Sequence, residues 1–296
     1  MTALSTADPG LGVRRAPARR TGRAARPGRR VRRAGLTALG ILFVVIMIFP
    51  AYWMINLSLQ NATSVSTADL FPLHPTLDAY AIAISQQLPH LVTSLIISLS
   101  TIVVTLVVAV PAAYALGRFR LPGGPAFVLI LIVTQMVPSI VIVNSLYTLF
   151  NSLGLLNSYP GLILANSASA VPFAIILMRA FMNGIPAELI EAAKIDGASE
   201  LRVLWSIVIP VSRNAIITAG LFTFLGAWGD FLFALTLTSR PDIQPITLGI
   251  YNYMSATSTA WGPIMATSVI ASIPAAFILI FAQRFIAIGA LGGALK

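Results

Sequence analysis

Six charged side chains crowd into Pro186–Pro210, PAELIEAAKIDGASELRVLWSIVIP, inside a chain that is otherwise mostly apolar. Four are acids, Glu188, Glu191, Asp196 and Glu200, and two are bases, Lys194 and Arg202. This pattern suits ion pairing and docking rather than bond making. Pro186 suits a first helical position, with Glu188 and Glu191 near the positive end of the helix it opens. Gly197 supplies a φ > 0 stop, Ser199 caps a second helix, and Pro210 limits it. Ala192 and Ala193 are small enough to let another surface approach the backbone, and Glu191 pairs with Lys194 or with a base on a partner. By composition the stretch reads equally as a solvated loop, since charge runs usually face water.

Asp230 is the one acid clearly inside an apolar run. It either accepts a hydrogen bond from a neighbouring span or lines a pathway through the membrane. Uncharged polar groups at Gln135, Asn144, Ser145, Asn166, Ser167 and Ser169 either bond neighbouring helices or line an aqueous cavity. Gln135, Asn144, Asn166, Trp228 and Asp230 are the candidate pathway residues, and amides and hydroxyls beside aromatic faces suit a neutral, hydroxyl-rich solute. Other chemistries are missing. The only lysines, Lys194 and Lys296, follow no glycine-rich loop, so there is no G-x-x-x-x-G-K-[ST] phosphate site. With no cysteine there is no disulfide, thiolate metal site or Cys nucleophile, and His74 and His90 are too few for a metal cluster. No catalytic residue and no cofactor is expected.

The elements that position these residues are membrane spans. Of 296 residues, 57% are hydrophobic and only 9% charged, far from the composition of soluble domains. Residues 1–35 hold ten arginines and a single acid, Asp8, and read as a disordered tail rather than a nucleic-acid-binding face. The uncharged run Leu36–Leu59 exceeds the h-region of a signal peptide and suits a crossing of ~20 residues. An external loop with a short helix near 77–85 is expected next. Five further spans follow, near 90–116, 126–149, 160–182, 213–238 and 263–283. The reading is an all-α membrane protein of six transmembrane helices, with a permease-like body at 36–288, the polar loop at 184–212 and a short tail at 289–296. With both termini inside, eighteen of the nineteen Lys and Arg are cytoplasmic and only Arg240 is external.

Spacing sharpens the polar loop. Glu191-Ala192-Ala193, three residues, Gly197, nine residues, then Ile207-Val208-Ile209-Pro210 resembles the EAA loop of ATP-binding-cassette importer permeases, with Ile209 where that family usually has Leu. The resemblance runs from about Leu36 to Ala294 and is similar in detail to the MalG-type carbohydrate branch, as in Phe49-Pro50-Ala51-Tyr52-Trp53 and Trp228-Gly229-Asp230-Phe231. At Gly229 that branch often has Asn. The resemblance implies a type I importer permease fold in a bacterial inner or plasma membrane. It implies that Glu191, Ala192, Ala193, Asp196, Gly197, Ile207 and Pro210 couple to an ATPase. It further implies as partners a second permease subunit, two ATPase subunits, an extracytoplasmic sugar-binding protein and the lipid bilayer. A disaccharide or short oligosaccharide such as maltose or trehalose is the expected cargo. Glycerol phosphate importers share the branch but would want an anion site, and this chain has no intramembrane base. An ion-coupled carrier acting alone is the alternative, and it has no use for an ATPase-docking loop.

Overall fold

A computed structural model of the chain describes residues 27–60, 68–254 and 261–294. No strand forms among the described residues. The expected tail lies outside them up to residue 26, as do the last two positions of the expected C-terminal tail. The chain divides into two units, residues up to Pro50 and residues from Ala51 onward.

The first helix, α1, runs Pro27–Ser58, so it starts well before the expected residue 36. Between Leu36 and Phe49 its large apolar side chains are exposed. That exposure costs little in lipid, because α1 is an uncharged span from Gly35 onward.

From Ala51 the body is organised on α2, Asp78–Arg118, a single helix of 41 residues. At 1.5 Å per residue it is about 60 Å long and outreaches a hydrocarbon core of ~30 Å. The short helix and separate span expected on either side of Pro89 are therefore one element. Pro89 removes one N–H and does not break it, as happens in membrane helices whose neighbours hold them. Next come α3 (Gly124–Thr134) and α4 (Ser139–Ser152), which replace the single span expected at 126–149. They bend by 97° at a break. Pro138 takes an extended ψ of 134° there and restricts the residue before it, so α3 ends in a tightened turn.

The fifth helix, α5, runs Tyr159–Met182 and is capped by Ser158, whose hydroxyl accepts from the Gly161 N–H. The polar stretch forms α6 (Ala187–Ile195) and α7 (Glu200–Val203). A π turn at Leu204–Val208 and the short α8 (Ile209–Val211) carry it on. After a 78° bend come α9 (Arg213–Trp228) and α10 (Leu232–Leu237), so the span expected at 213–238 is interrupted at residues 229–231. Two more helices, α11 (Ile246–Tyr251) and α12 (Trp261–Ala294), end the described chain, and α12 runs through residues expected as tail.

Among the described residues four helices are long and apolar enough to cross a membrane, or up to six if each bent pair counts as one. Helix α2 packs on α5, α9 and α12. In lipid, apolar surface alone does not drive helices together, and the contacts are made close by small residues. Ala109, Ala113, Ala174, Ala215 and Ala219 have no exposed surface in the core that joins α2, α5 and α9.

Candidate functional site

The polar stretch shares that core. Ile190 of α6 and Val203 and Val208 of the following turns are buried with Tyr114, Met178 and Ala215. It is therefore anchored on one side, not a loosely solvated loop. Its other side exposes Leu189, Ile195, Leu201 and Trp205, with Ile195 86% accessible. Glu191 and Ala192 lie on this outer side, while Ala193 packs partly against the core.

The turn after α6 is closed by two hydrogen bonds. The Gly197 N–H donates to the Lys194 carbonyl at 3.0 Å and the Ala198 N–H to the Ala193 carbonyl at 2.9 Å. This is the Schellman arrangement, with Gly197 at φ 81° where a side chain is strained. Asp196 is the exposed residue that ends α6, and the Ser199 hydroxyl caps α7 by accepting from the Arg202 N–H. Pro186 caps α6 rather than entering it, with an extended ψ of 135°. Pro210 has no N–H to offer the Ser206 carbonyl, and the Ile209 N–H reaches back instead to the Leu204 carbonyl, which widens the turn into the π form. Ile207 is half-buried on that turn.

Ion pairs tie the stretch to α2. The Glu191 carboxylate lies 3.8 Å from Arg118, while Lys194 pairs with Glu200. Of the two pairings open to Glu191, the one with Lys194 does not form, because Lys194 is taken by Glu200 and Glu191 lies beside Arg118. The buried Tyr114 donates its hydroxyl to the other Glu200 oxygen at 3.2 Å. Lys194, Glu200 and Tyr114 thus join α6, α7 and α2, a connection that spacing alone did not reveal.

A second site sits within the body, apart from the polar stretch. A cavity of about 360 Å³ lies between α5 and α9, lined by Asn166, Ser169, Phe173, Phe222, Thr223 and Asp230, among others. Helical period explains part of the set: Asn166, Ser169 and Phe173 share one face of α5, and Thr223 and Ala227 one face of α9, while Asp230 enters from the break that follows α9. The Asp230 carboxylate accepts from the Phe233 N–H at 3.1 Å and the Ala234 N–H at 3.2 Å, which fixes the break before α10 around the acid. The Asn166 amide lies beside that carboxylate and also donates to the Leu162 carbonyl at 3.0 Å. The Thr223 hydroxyl is buried without a partner. Phe173 and Phe222 meet edge to face at 5.4 Å.

The other candidate pathway residues lie elsewhere. Trp228 stacks on Phe224 and donates its indole N–H to the Ala271 carbonyl at 3.1 Å, tying α9 to α12. Gln135 ends α3 and Asn144 lies on α4, both exposed and neither lining the cavity. His90 lies within α2, and its Nδ1 is 2.8 Å from the Gln244 carbonyl oxygen.

Residues 109–288 match the family described as "Binding-protein-dependent transport system inner membrane component". The trehalose transport system permease protein SugB of Mycobacterium tuberculosis is 33% identical over 87% of this chain and 96% of its own length. The sulfoquinovosyl glycerol transport system permease protein SmoH of Agrobacterium fabrum is 30% identical over 86% and 91%. The trehalose/maltose transport system permease protein MalG of Thermococcus litoralis is also 30% identical, over 86% and 94%. Among solved structures, a chain of a bacterial ABC transporter that imports the acidic polysaccharide alginate shares the fold with a TM-score of 0.75 at 22% identity, over 88% of this chain and 98% of its own.

Proposed function

The chain belongs to the family of inner membrane components of binding-protein-dependent transport systems, and from that premise we propose that it is a permease subunit of an ATP-driven carbohydrate importer. In this reading the end that carries the polar stretch faces the cytoplasm. There α6 seats in a groove of a separate ATPase subunit. A second permease chain pairs with this one, and an extracytoplasmic binding protein delivers the solute. Trehalose and maltose in the names of two relatives support a disaccharide or short oligosaccharide as cargo.

The observation that carries the proposal is the two-sided build of α6. Ile190 holds its inner side in the core of α2 and α5, while Leu189, Glu191, Ala192 and Ile195 are exposed on its outer side beside the turn at Gly197. A helix held this way passes a push from an ATPase to the spans behind it as a shift between two packed states.

Gly197→Asp tests this. A Cβ at Gly197 meets no neighbour within 4 Å, so the cost is backbone strain and an added charge on the outer side. The mutant chain should insert and co-purify normally, while ATP-dependent uptake into vesicles falls roughly tenfold or more, as for a coupling of a few kcal/mol. Wild-type uptake by a stably inserted Gly197→Asp chain would overturn the proposal.

A further inference from the structure

The cavity beside Asp230 has a charge character as well as a shape. Among its lining residues Asp230 is the one charged group, and no Lys, Arg or His accompanies it. Both carboxylate oxygens are held by backbone N–H donors, so the acid is fixed in place. The Asn166 amide and the Leu232 N–H also reach the carboxylate, so its roughly four lone-pair directions are largely taken and it faces the cavity as a fixed negative charge. The Thr223 hydroxyl adds a buried donor and acceptor with no protein partner, an arrangement costly to leave dry and unfilled. Asn166 and Ser169 add an amide and a hydroxyl, and Phe173 and Phe222 supply apolar ring surface. At about 360 Å³ the space falls within the ~300–1,000 Å³ of small-molecule sites.

We infer that this cavity is a subsite that admits neutral polyhydroxylated solutes and rejects anionic ones, with Asp230 as the residue that discriminates and the Thr223 hydroxyl as a ligand contact. The inference rests on the carbohydrate-permease reading and adds to it a rule about cargo charge. Solute hydroxyls bond the Ser169 hydroxyl and the Asn166 amide oxygen, and sugar C–H faces lie on the rings. A carboxylated or sulfonated sugar meets an uncompensated like charge in a partly enclosed site, where such repulsion is poorly screened.

The absence of cysteine from the chain allows a direct test. Ser169→Cys is introduced into the assembled transporter in membrane vesicles. It is treated with a cationic and an anionic methanethiosulfonate of equal length, and modification is read from the intact mass of this chain. Relative to free cysteine, the cationic reagent should react at least about tenfold faster than the anionic one, as in clefts of one charge sign. That bias should collapse when Asp230→Asn is added, and millimolar trehalose should slow both reagents. Thr223→Val removes a hydroxyl that no protein group uses, so it should leave folding and the charge bias unchanged while raising severalfold the trehalose needed for protection. Equal reaction of the two reagents, a bias that survives Asp230→Asn, or no modification by either would overturn the inference. A normal charge bias with no protection by any neutral sugar would instead overturn the carbohydrate reading on which it stands.

Discussion

Glu200 is where three elements meet, and its two oxygens have different jobs. One pairs with Lys194 across the Gly197 turn, and the other accepts the Tyr114 hydroxyl from α2. The hydrogen bond from Lys194 holds the Glu200 carboxyl below the usual carboxylate range, against partial desolvation that acts the other way. A depressed carboxylate stabilises the fold above its unfolded value, ~4.3, and the contribution is lost as pH falls through the lower folded value. Both side chains of the pair are nearly half exposed, so it is worth only ~0–1 kcal/mol. Lys194→Met should therefore lower stability slightly at pH 7, and the difference from wild type should shrink as melting curves are taken at pH values falling through the lowered folded value of Glu200. Tyr114→Phe keeps the ring against Phe119, at 5.7 Å, and removes only the hydroxyl. It should cost about 1 kcal/mol in thermal unfolding, near the net value of one hydrogen bond. No loss would mean that the ring, not the hydroxyl, carries the contact. At this scale the sequence was informative where the partner lies within a few residues, as for Gly197 and Ser199. It was blind to Tyr114 and Arg118, which reach the stretch only through the packing of α2. Thr223 was missed because Asp230 lies beyond the end of α9, so no helical period links the two; the neighbour chosen instead, Trp228, points at α12.

Among the elements, the turn between α7 and α9 decides how the outer side of the polar stretch is set against the spans. Pro210 forces the π turn at Leu204–Val208, and the chain then bends by 78° into α9. Pro210→Ala would restore a donor for the Ser206 carbonyl and remove the ring, letting the turn relax to ordinary α geometry. That change rotates Leu201 and Trp205, both about two-thirds exposed, relative to α9. Melting temperature should stay level or rise, while uptake falls about fivefold or more because the coupling geometry is lost. Retained uptake with a higher melting temperature would show that the π turn is packing detail only. The same level shows why the span count was legible but not the span shapes. Charge-free runs and polar gaps mark crossings, whereas breaks inside them depend on local caps. Asp230 builds the break before α10 from its own side chain, and Pro138 ends the turn after α3. Pro89, read as a boundary, lies inside α2 because its neighbours hold the helix through it.

On the scale of the whole molecule, the packed body separates its charges by end. Arg118, Arg179, Lys194 and Arg202 gather where α2 and α5 finish and the polar stretch begins, with Arg179 donating to the Leu116 carbonyl at 3.2 Å. Arg240 lies at the opposite end, paired with Asp242 and held by the Asn157 side chain, which accepts from the Ser239 and Arg240 N–H groups. Thr93 and Tyr159 meet at 3.2 Å near that end, so α2 and α5 run antiparallel. On the proposed orientation the bases of the body alone satisfy the positive-inside rule, without the ten arginines of residues 1–33. Deleting residues 2–33, which removes all ten arginines of the tail, should leave both orientation and transport intact. Because the chain has no cysteine, single substitutions report each side cleanly. Leu73→Cys, in the exposed loop before α2, should react with a membrane-impermeant thiol reagent in intact cells. Asp196→Cys should react only after permeabilisation. The same pattern is expected in the truncated chain. Reversed labelling after truncation would show that the tail sets the topology. Unchanged labelling with lost uptake would show that the tail acts in transport itself, through the anionic lipid surface that an arginine-rich segment favours.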